Sequence, residues 1–140
     1  MNEKIETIRK WVEKADHDLG SAEIIYLHIP EYRDTIAFHC QQAVEKYLKA
    51  YLIFLDILFE RTHNLILLLD LISQKESVSN ELYDKTTELA KFAVEIRYPD
   101  TAEDLSENDI LIAISISKDF REYILARMNM NIEYDGKITN

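Results

Sequence analysis

The strongest structural signal in the chain is the segment from residue 5 to residue 29, which reads IETIRKWVEKADHDLGSAEIIYLHI. Its apolar positions recur at alternating spacings of three and four, as one face of an amphipathic helix requires. Pro30 ends this helix or opens the next one, because its ring removes a backbone donor. The positions predicted to face a core are Ile5, Ile8, Val12, Ala15, Leu19, Ala22, Tyr26 and Ile29.

Similar spacing predicts three further helices in the middle of the chain. The second helix begins near Arg33 and keeps its apolar stripe as far as Phe54. A short third helix, 65–72, is apolar nearly all round, so either the bundle or a second subunit must cover it. A fourth helix begins near Leu82 and ends near Arg97, two residues before a proline.

A fifth helix follows the capping sequence SEND at 106–109 and continues to about Met128. Isoleucines alternate between 110 and 116 and would also fit a strand, but the cap and the length of the pattern favour a helix. We therefore expect an all-α fold, an up-and-down bundle of about five helices over residues 1–128. Residues 129–140 lose the pattern and are predicted to form a flexible tail.

Composition limits the functions that this chain of 140 residues can have. The single cysteine excludes an internal disulfide and a multi-cysteine zinc site, and we expect neither a metal nor a cofactor. A net charge of −10 repels phosphate backbones, so a nucleotide or RNA site must be local, although the charge also serves solubility. The apolar run at 50–59 is too short to span a membrane, and we expect a cytoplasmic protein.

The second predicted helix carries a polar row, since Gln41, Glu45 and Lys49 follow one another at four-residue steps. One interpretation is a solvated face with a helix-stabilising ion pair. The other is a polar patch in a groove that hydrogen-bonds a base or a partner backbone.

The start of the third predicted helix, Arg61-Thr62-His63-Asn64, allows two interpretations. Free backbone donors and the helix dipole favour an anion beside Arg61 and His63. Alternatively, Thr62 or Asn64 caps the helix and His63 only packs.

Arg33 and His39 are the candidates for catalysis, because an arginine stabilises a phosphate while a histidine moves a proton. An arginine and a histidine at such a spacing also occur by chance in many helices, and His39 flanks the apolar stripe. Cys40 continues an apolar stripe and is expected to be a buried hydrophobe, and Trp11 is assigned to the core or its rim.

Several ordered segments together resemble the HEPN domain family. They are HCQQAVEKYLKA at 39–50, THNL at 62–65 and RYPD at 97–100, preceded by the helical stretch 15–22. The resemblance covers about residues 6–128. It implies a five-helix bundle, commonly a homodimer, often encoded beside a minimal nucleotidyltransferase, with roles in nucleotide binding and toxin-antitoxin pairs.

Our leading hypothesis is a binding module, and not an enzyme by itself, whose polar groove receives a nucleotide or a nucleotidyltransferase partner. Lys49 and Arg97 would meet phosphate, and His63 would add a hydrogen bond. The expected ligand-binding residues are Gln42, Glu45, Lys49, His63, Arg97 and Asp100.

Two alternatives remain. The first is a metal-independent, toxin-like ribonuclease that cleaves RNA with Arg33 and His39, or with His63 and Arg97 across a dimer. Ribonucleases of the family carry an arginine and, after four to six residues, a histidine late in the bundle, whereas no histidine follows His63 here. The second is a structural subunit that dimerises through residues 65–72.

Overall fold

The computed structural model of the chain describes residues 2–93 and 105–134, and this part contains five α-helices and no strand. The predicted all-α bundle is confirmed. None of these described helices is apolar over a length that would cross a membrane. In chain order the helices are α1 (Asn2–His28), α2 (Arg33–Phe54), α3 (Leu65–Ser73), α4 (Asn80–Phe92) and α5 (Glu107–Met128).

Helix α2 is the centre of the bundle and packs against each of the other four helices. It runs antiparallel to α1, since Lys46 near its middle pairs with Asp18 of α1 and Asp56 beyond its end pairs with Lys4. It runs parallel to α5, since Arg33 at its start binds the Leu105 carbonyl ahead of α5, while Tyr51 near its end contacts Arg127 near the end of α5. Between these contacts, Ser117 Oγ donates to the Cys40 carbonyl at 3.1 Å. This arrangement brings the polar faces of α1, α2 and α5 together.

Three helices start at the polar side chains that cap them. The Asn64 side chain accepts from the Leu67 amide at the start of α3, and Ser79 accepts from the Leu82 amide at the start of α4. Ser106 and Asp109 form a complete capping box at α5. These bonds satisfy amides that have no partner within the helix.

The apolar stripe of α1 is buried only along its middle. Its five central members are fully covered, whereas Ile5 and Ile29 at the two ends are 40% and 36% exposed. Helix α2 is shorter than α1, so it cannot cover both ends. The covered members are Ile8, Val12, Ala15, Leu19 and Ala22.

The bundle itself covers most of the short apolar helix α3. Leu65, Leu68, Leu69 and Ile72 are buried, and Leu67 is 45% exposed. The apolar character of α3 is therefore explained without a second subunit.

The chain after α5 turns back along the bundle. Asn129 ends the helix in the left-handed conformation, with φ of 53°. The Ile132 carbonyl then accepts from Arg121 Nη2 at 2.8 Å, and the Tyr134 hydroxyl donates to Glu23 of α1. The described part of the predicted flexible tail, 129–134, thus contacts α1 and α5, while residues 135–140 lie outside the described residues.

Candidate functional site

The polar row of α2 leads to a buried ion pair. Lys49 Nζ donates to Glu45 Oε2 at 2.9 Å, as their four-residue spacing predicts. The two residues are only 5% and 3% exposed. The interpretation of this row as a solvated face is therefore wrong for Glu45 and Lys49.

His63 reaches the same carboxylate from the segment that joins α2 to α3. Its Nδ1 lies 2.9 Å from Glu45 Oε1, while 75% of its side chain is exposed. An ionised carboxylate only accepts, so Nδ1 carries the hydrogen and Nε2 remains for another partner. We call Glu45, Lys49 and His63 the α2 polar cluster.

Aromatic side chains border the α2 polar cluster on the side of α1. The Lys49 ammonium lies 5.6 Å from the centre of the Trp11 ring, at cation–π distance. The Trp11 ring in turn meets Phe59 edge-on at 6.5 Å. Lys49 is therefore held between a carboxylate and an aromatic ring.

Of the other three expected ligand-binding residues, the structure describes only Gln42. Gln42 is partly exposed on α2, one helical turn before Glu45. Arg97 and Asp100 lie outside the described residues, so their part in the site stays a prediction. At the start of α3, Asn64 is the cap, as one of the two interpretations predicts.

The two candidate catalytic side chains of α2, Arg33 and His39, bind different parts of the fold. Arg33 Nη1 donates to the Leu105 carbonyl ahead of α5 at 2.8 Å. His39 Nδ1 lies 3.2 Å from Asp18 of α1, and the same carboxylate also binds Lys46. These contacts give both side chains a structural role.

Two other kinds of site, a reactive cysteine and a metal site, have little support among the described residues. Cys40 is fully buried, and burial raises the pKa of its thiol to about 12, so it is not a thiolate nucleophile at neutral pH. Within residues 2–93 and 105–134, no three histidine, cysteine, aspartate or glutamate side chains come together as a metal site would require.

Sequence reasoning missed a second polar network between α1 and α5. Arg121 donates from Nε and Nη2 to both oxygens of Asp16, at 2.8 and 3.1 Å, and Tyr47 donates to the same carboxylate at 2.5 Å. The four-residue spacings that reveal contacts within a helix cannot reveal a contact across 105 positions.

An open groove of ≈ 660 Å³ lies beside this second network, between α1 and the C-terminal segment. His17 belongs to its wall together with Arg9 and Tyr134. The residues that line the groove do not include Glu45, Lys49 or His63, so the groove and the α2 polar cluster are separate features.

The described helices and their arrangement define a helical bundle with a polar site beside its central helix. The sequence matches the family model of the HEPN domain over residues 8–128, and the chain belongs to the HEPN domain family. This confirms the resemblance seen in the sequence.

Two solved structures share the fold. The crystal structure of ST0689, an archaeal HEPN homologue, is 23% identical with a TM-score of 0.69. The crystal structure of TT1696 from Thermus thermophilus is 21% identical with a TM-score of 0.70. In both comparisons 86% of this chain and 97% of the other chain are covered. No curated protein matches the chain significantly.

Proposed function

We propose that this HEPN domain is a binding module that receives a nucleotide at the α2 polar cluster. The observation that carries the proposal is the exposed imidazole of His63, which is held at its Nδ1 by a buried carboxylate. Its Nε2 is left to exchange a hydrogen bond with a base, a ribose or a phosphate.

Stabilisation of the fold does not by itself explain the buried ion pair of Glu45 and Lys49. Removing Glu45 and Lys49 from water is costly, and an apolar pair of similar size commonly stabilises a fold as well or better. Glu45 also orients His63, so the pair serves to fix an exposed polar group. Lys49 is covered and neutralised by Glu45, so we assign it this supporting role and not the phosphate contact expected from the sequence.

The start of α3 is the best place for the phosphate of such a ligand. Arg61 is exposed two residues before His63, and the first amides of a helix favour an anion. Asn64 occupies the Leu67 amide, which leaves the amides of Leu65 and Ile66 without a helical partner. A local site of this kind is compatible with the net charge of −10.

Thermal unfolding with purine and pyrimidine nucleotides tests the proposal. A bound nucleotide at 100 times its Kd stabilises the folded state by about 2.7 kcal/mol, which raises Tm. We expect this increase in the wild type and in His28→Ala, whose side chain is exposed at the end of α1, but not in His63→Ala. Unchanged Tm with every nucleotide at millimolar concentration would refute nucleotide binding.

A protein partner of the nucleotidyltransferase type is the other half of this proposal. Leu58 is 94% exposed in the segment between α2 and α3 that also carries His63. An exposed leucine in the segment that also carries the histidine of the polar cluster suits an interface with a polar rim. Leu58→Ser should abolish co-purification of such a partner, whereas Leu111→Ser, on α5, should retain it.

Ribonuclease activity is the second candidate function. A histidine oriented by a carboxylate is suited to accept a proton, and both His63 and His39 have such a carboxylate. The side chain of His63 is 75% exposed and that of His39 is 29% exposed, which favours His63 as the base. The candidate predicts RNA cleavage in the presence of a metal chelator, lost in His63→Ala and kept in His39→Ala. Full cleavage by His63→Ala would exclude this histidine.

A further inference from the structure

Trp11 is the one tryptophan of the chain, and it borders the α2 polar cluster. Trp11 lies beside the buried apolar stripe of α1 but is not part of it, because the stripe residues Ile8 and Val12 are fully buried whereas Trp11 is partly exposed. Its ring touches Phe59, in the same connecting segment as His63. The indole therefore lies at the edge of the site and keeps surface in contact with solvent.

We propose that Trp11 stacks on the base of the bound nucleotide and makes the site selective for ligands that contain an aromatic ring. This inference rests on the proposed nucleotide binding and assigns the base to one side of the site. An aromatic face can stack on any base, so Trp11 would require that the ligand contain a base without distinguishing one base from another.

A chain of direct contacts connects Trp11 to the exposed imidazole. The Trp11 ring lies 5.6 Å from the Lys49 ammonium, which is 2.9 Å from Glu45, which is 2.9 Å from His63. Trp11 and His63 thus flank one buried ion pair. A nucleotide placed over the pair would have an aromatic surface at one end and a hydrogen-bonding imidazole with Arg61 at the other.

The surroundings of Trp11 also hold the ring in a fixed orientation. Its edge-on contact with Phe59 at an interplanar angle of 70° and the ammonium of Lys49 restrict the indole from two directions. A ring that is already ordered loses little conformational freedom when a base stacks on it. Trp11 is therefore better prepared for stacking than the exposed Tyr32, which lies in the turn between α1 and α2.

Fluorescence provides the direct test, because all tryptophan emission comes from Trp11. Titration with nucleoside monophosphates should change the emission, while ribose 5-phosphate, which lacks the base, should not. Trp11→Leu should weaken nucleotide binding roughly ten-fold in calorimetry, and Trp11→Phe, which keeps an aromatic face, should bind within about three-fold of wild type. Tyr32→Leu is the matched control and should bind like wild type.

The possible results separate this inference from the proposed function. Nucleotide binding by calorimetry with unchanged emission and an unaffected Trp11→Leu variant would overturn the stacking role and leave nucleotide binding in place. Equal affinity for ribose 5-phosphate and for the nucleotide would also overturn it. Absence of any nucleotide binding would overturn both. Circular dichroism of Trp11→Leu verifies that the variant is folded.

Discussion

Arg121 of α5 binds both carboxylate oxygens of Asp16 of α1, and the two side chains are only 12% and 13% exposed. Tyr47 of α2 donates to the same carboxylate, so one mostly covered group joins three helices. A mostly covered pair of this kind differs from a surface pair in what its loss costs, because the partner left behind has little access to water.

Arg121→Met is therefore expected to lower the free energy of unfolding by about 1.5–3 kcal/mol, since Asp16 loses two charge-assisted hydrogen bonds and keeps only the one from Tyr47. Lys4→Met is the matched control, because Lys4 pairs with Asp56 at the surface, where the two side chains are 37% and 75% exposed. Its cost should be about 0–1 kcal/mol. Urea denaturation followed by circular dichroism measures both, and equal losses would contradict the distinction.

Tyr134→Phe tests the contact between the C-terminal segment and α1. The Tyr134 hydroxyl donates to Glu23, a fully buried carboxylate that also pairs with Lys118 at 3.0 Å. Loss of a hydrogen bond to a charged group should cost about 1.5–3 kcal/mol. Tyr32→Phe, at a residue that is 52% exposed, should stay within about 0.5 kcal/mol of wild type.

Amide hydrogen exchange gives a second measurement for the same segment. Residues 130–134 should exchange faster in Tyr134→Phe than in wild type. Exchange at the rate of an unfolded chain in the wild type would instead support the flexible tail predicted from the sequence.

Stability should depend on Glu76 at acidic pH. Burial raises the pKa of Glu76, but hydrogen bonds from Tyr51 at 2.7 Å and from Arg127 at 2.6 Å outweigh it, so this pKa lies below its ordinary value of 4.5. The carboxylate therefore stabilises the fold fully above the unfolded pKa, and this contribution is lost as pH falls through the lower folded pKa.

We expect Glu76→Gln to be less stable than wild type at pH 7, with the difference shrinking as pH falls below 4.5. Urea denaturation at a series of pH values measures the difference. Glu81→Gln serves as control, because its side chain is 76% exposed, and it should show little difference at any pH. A gap for Glu76→Gln that is constant down to pH 3 would rule out the linkage.

The Cys40 thiol should not react with a thiol reagent in the folded protein at pH 8, because it is buried and its pKa is raised to about 12. One equivalent should react after unfolding in guanidinium. Ser115→Cys, on the exposed face of α5, should add one thiol that reacts at once. Rapid reaction of Cys40 in the native wild type would show that the core opens easily.

The sequence predicted the helices well because their signals are local. Apolar spacing and the caps Asn64 and Ser106 involve residues a few positions apart, and the observed helices begin beside these caps. The contact between Glu45 and Lys49 was predictable for the same reason. Their burial was not, because it depends on Trp11 and on the segment between α2 and α3 covering that face.

The network around Asp16 could not be predicted from patterns of neighbouring residues. Asp16 and Arg121 are 105 positions apart, and each looks like an ordinary surface residue in its own helix. Asp16 and Asp18 flank His17 in the sequence but bind different partners, because successive positions on a helix point in different directions. Only the packing of α1 against α2 and α5 selects those partners.

The pairing of α1 with α2 also bears on how quickly the chain finds its fold. These long neighbours are joined by a turn of four residues, so their pairing can begin with contacts that close a short loop and lose little chain entropy. A topology rich in such nearby contacts folds fast, whereas docking of α5 must wait for a much longer closure. We therefore expect the hairpin of α1 and α2 to form first and the remaining helices to pack against it.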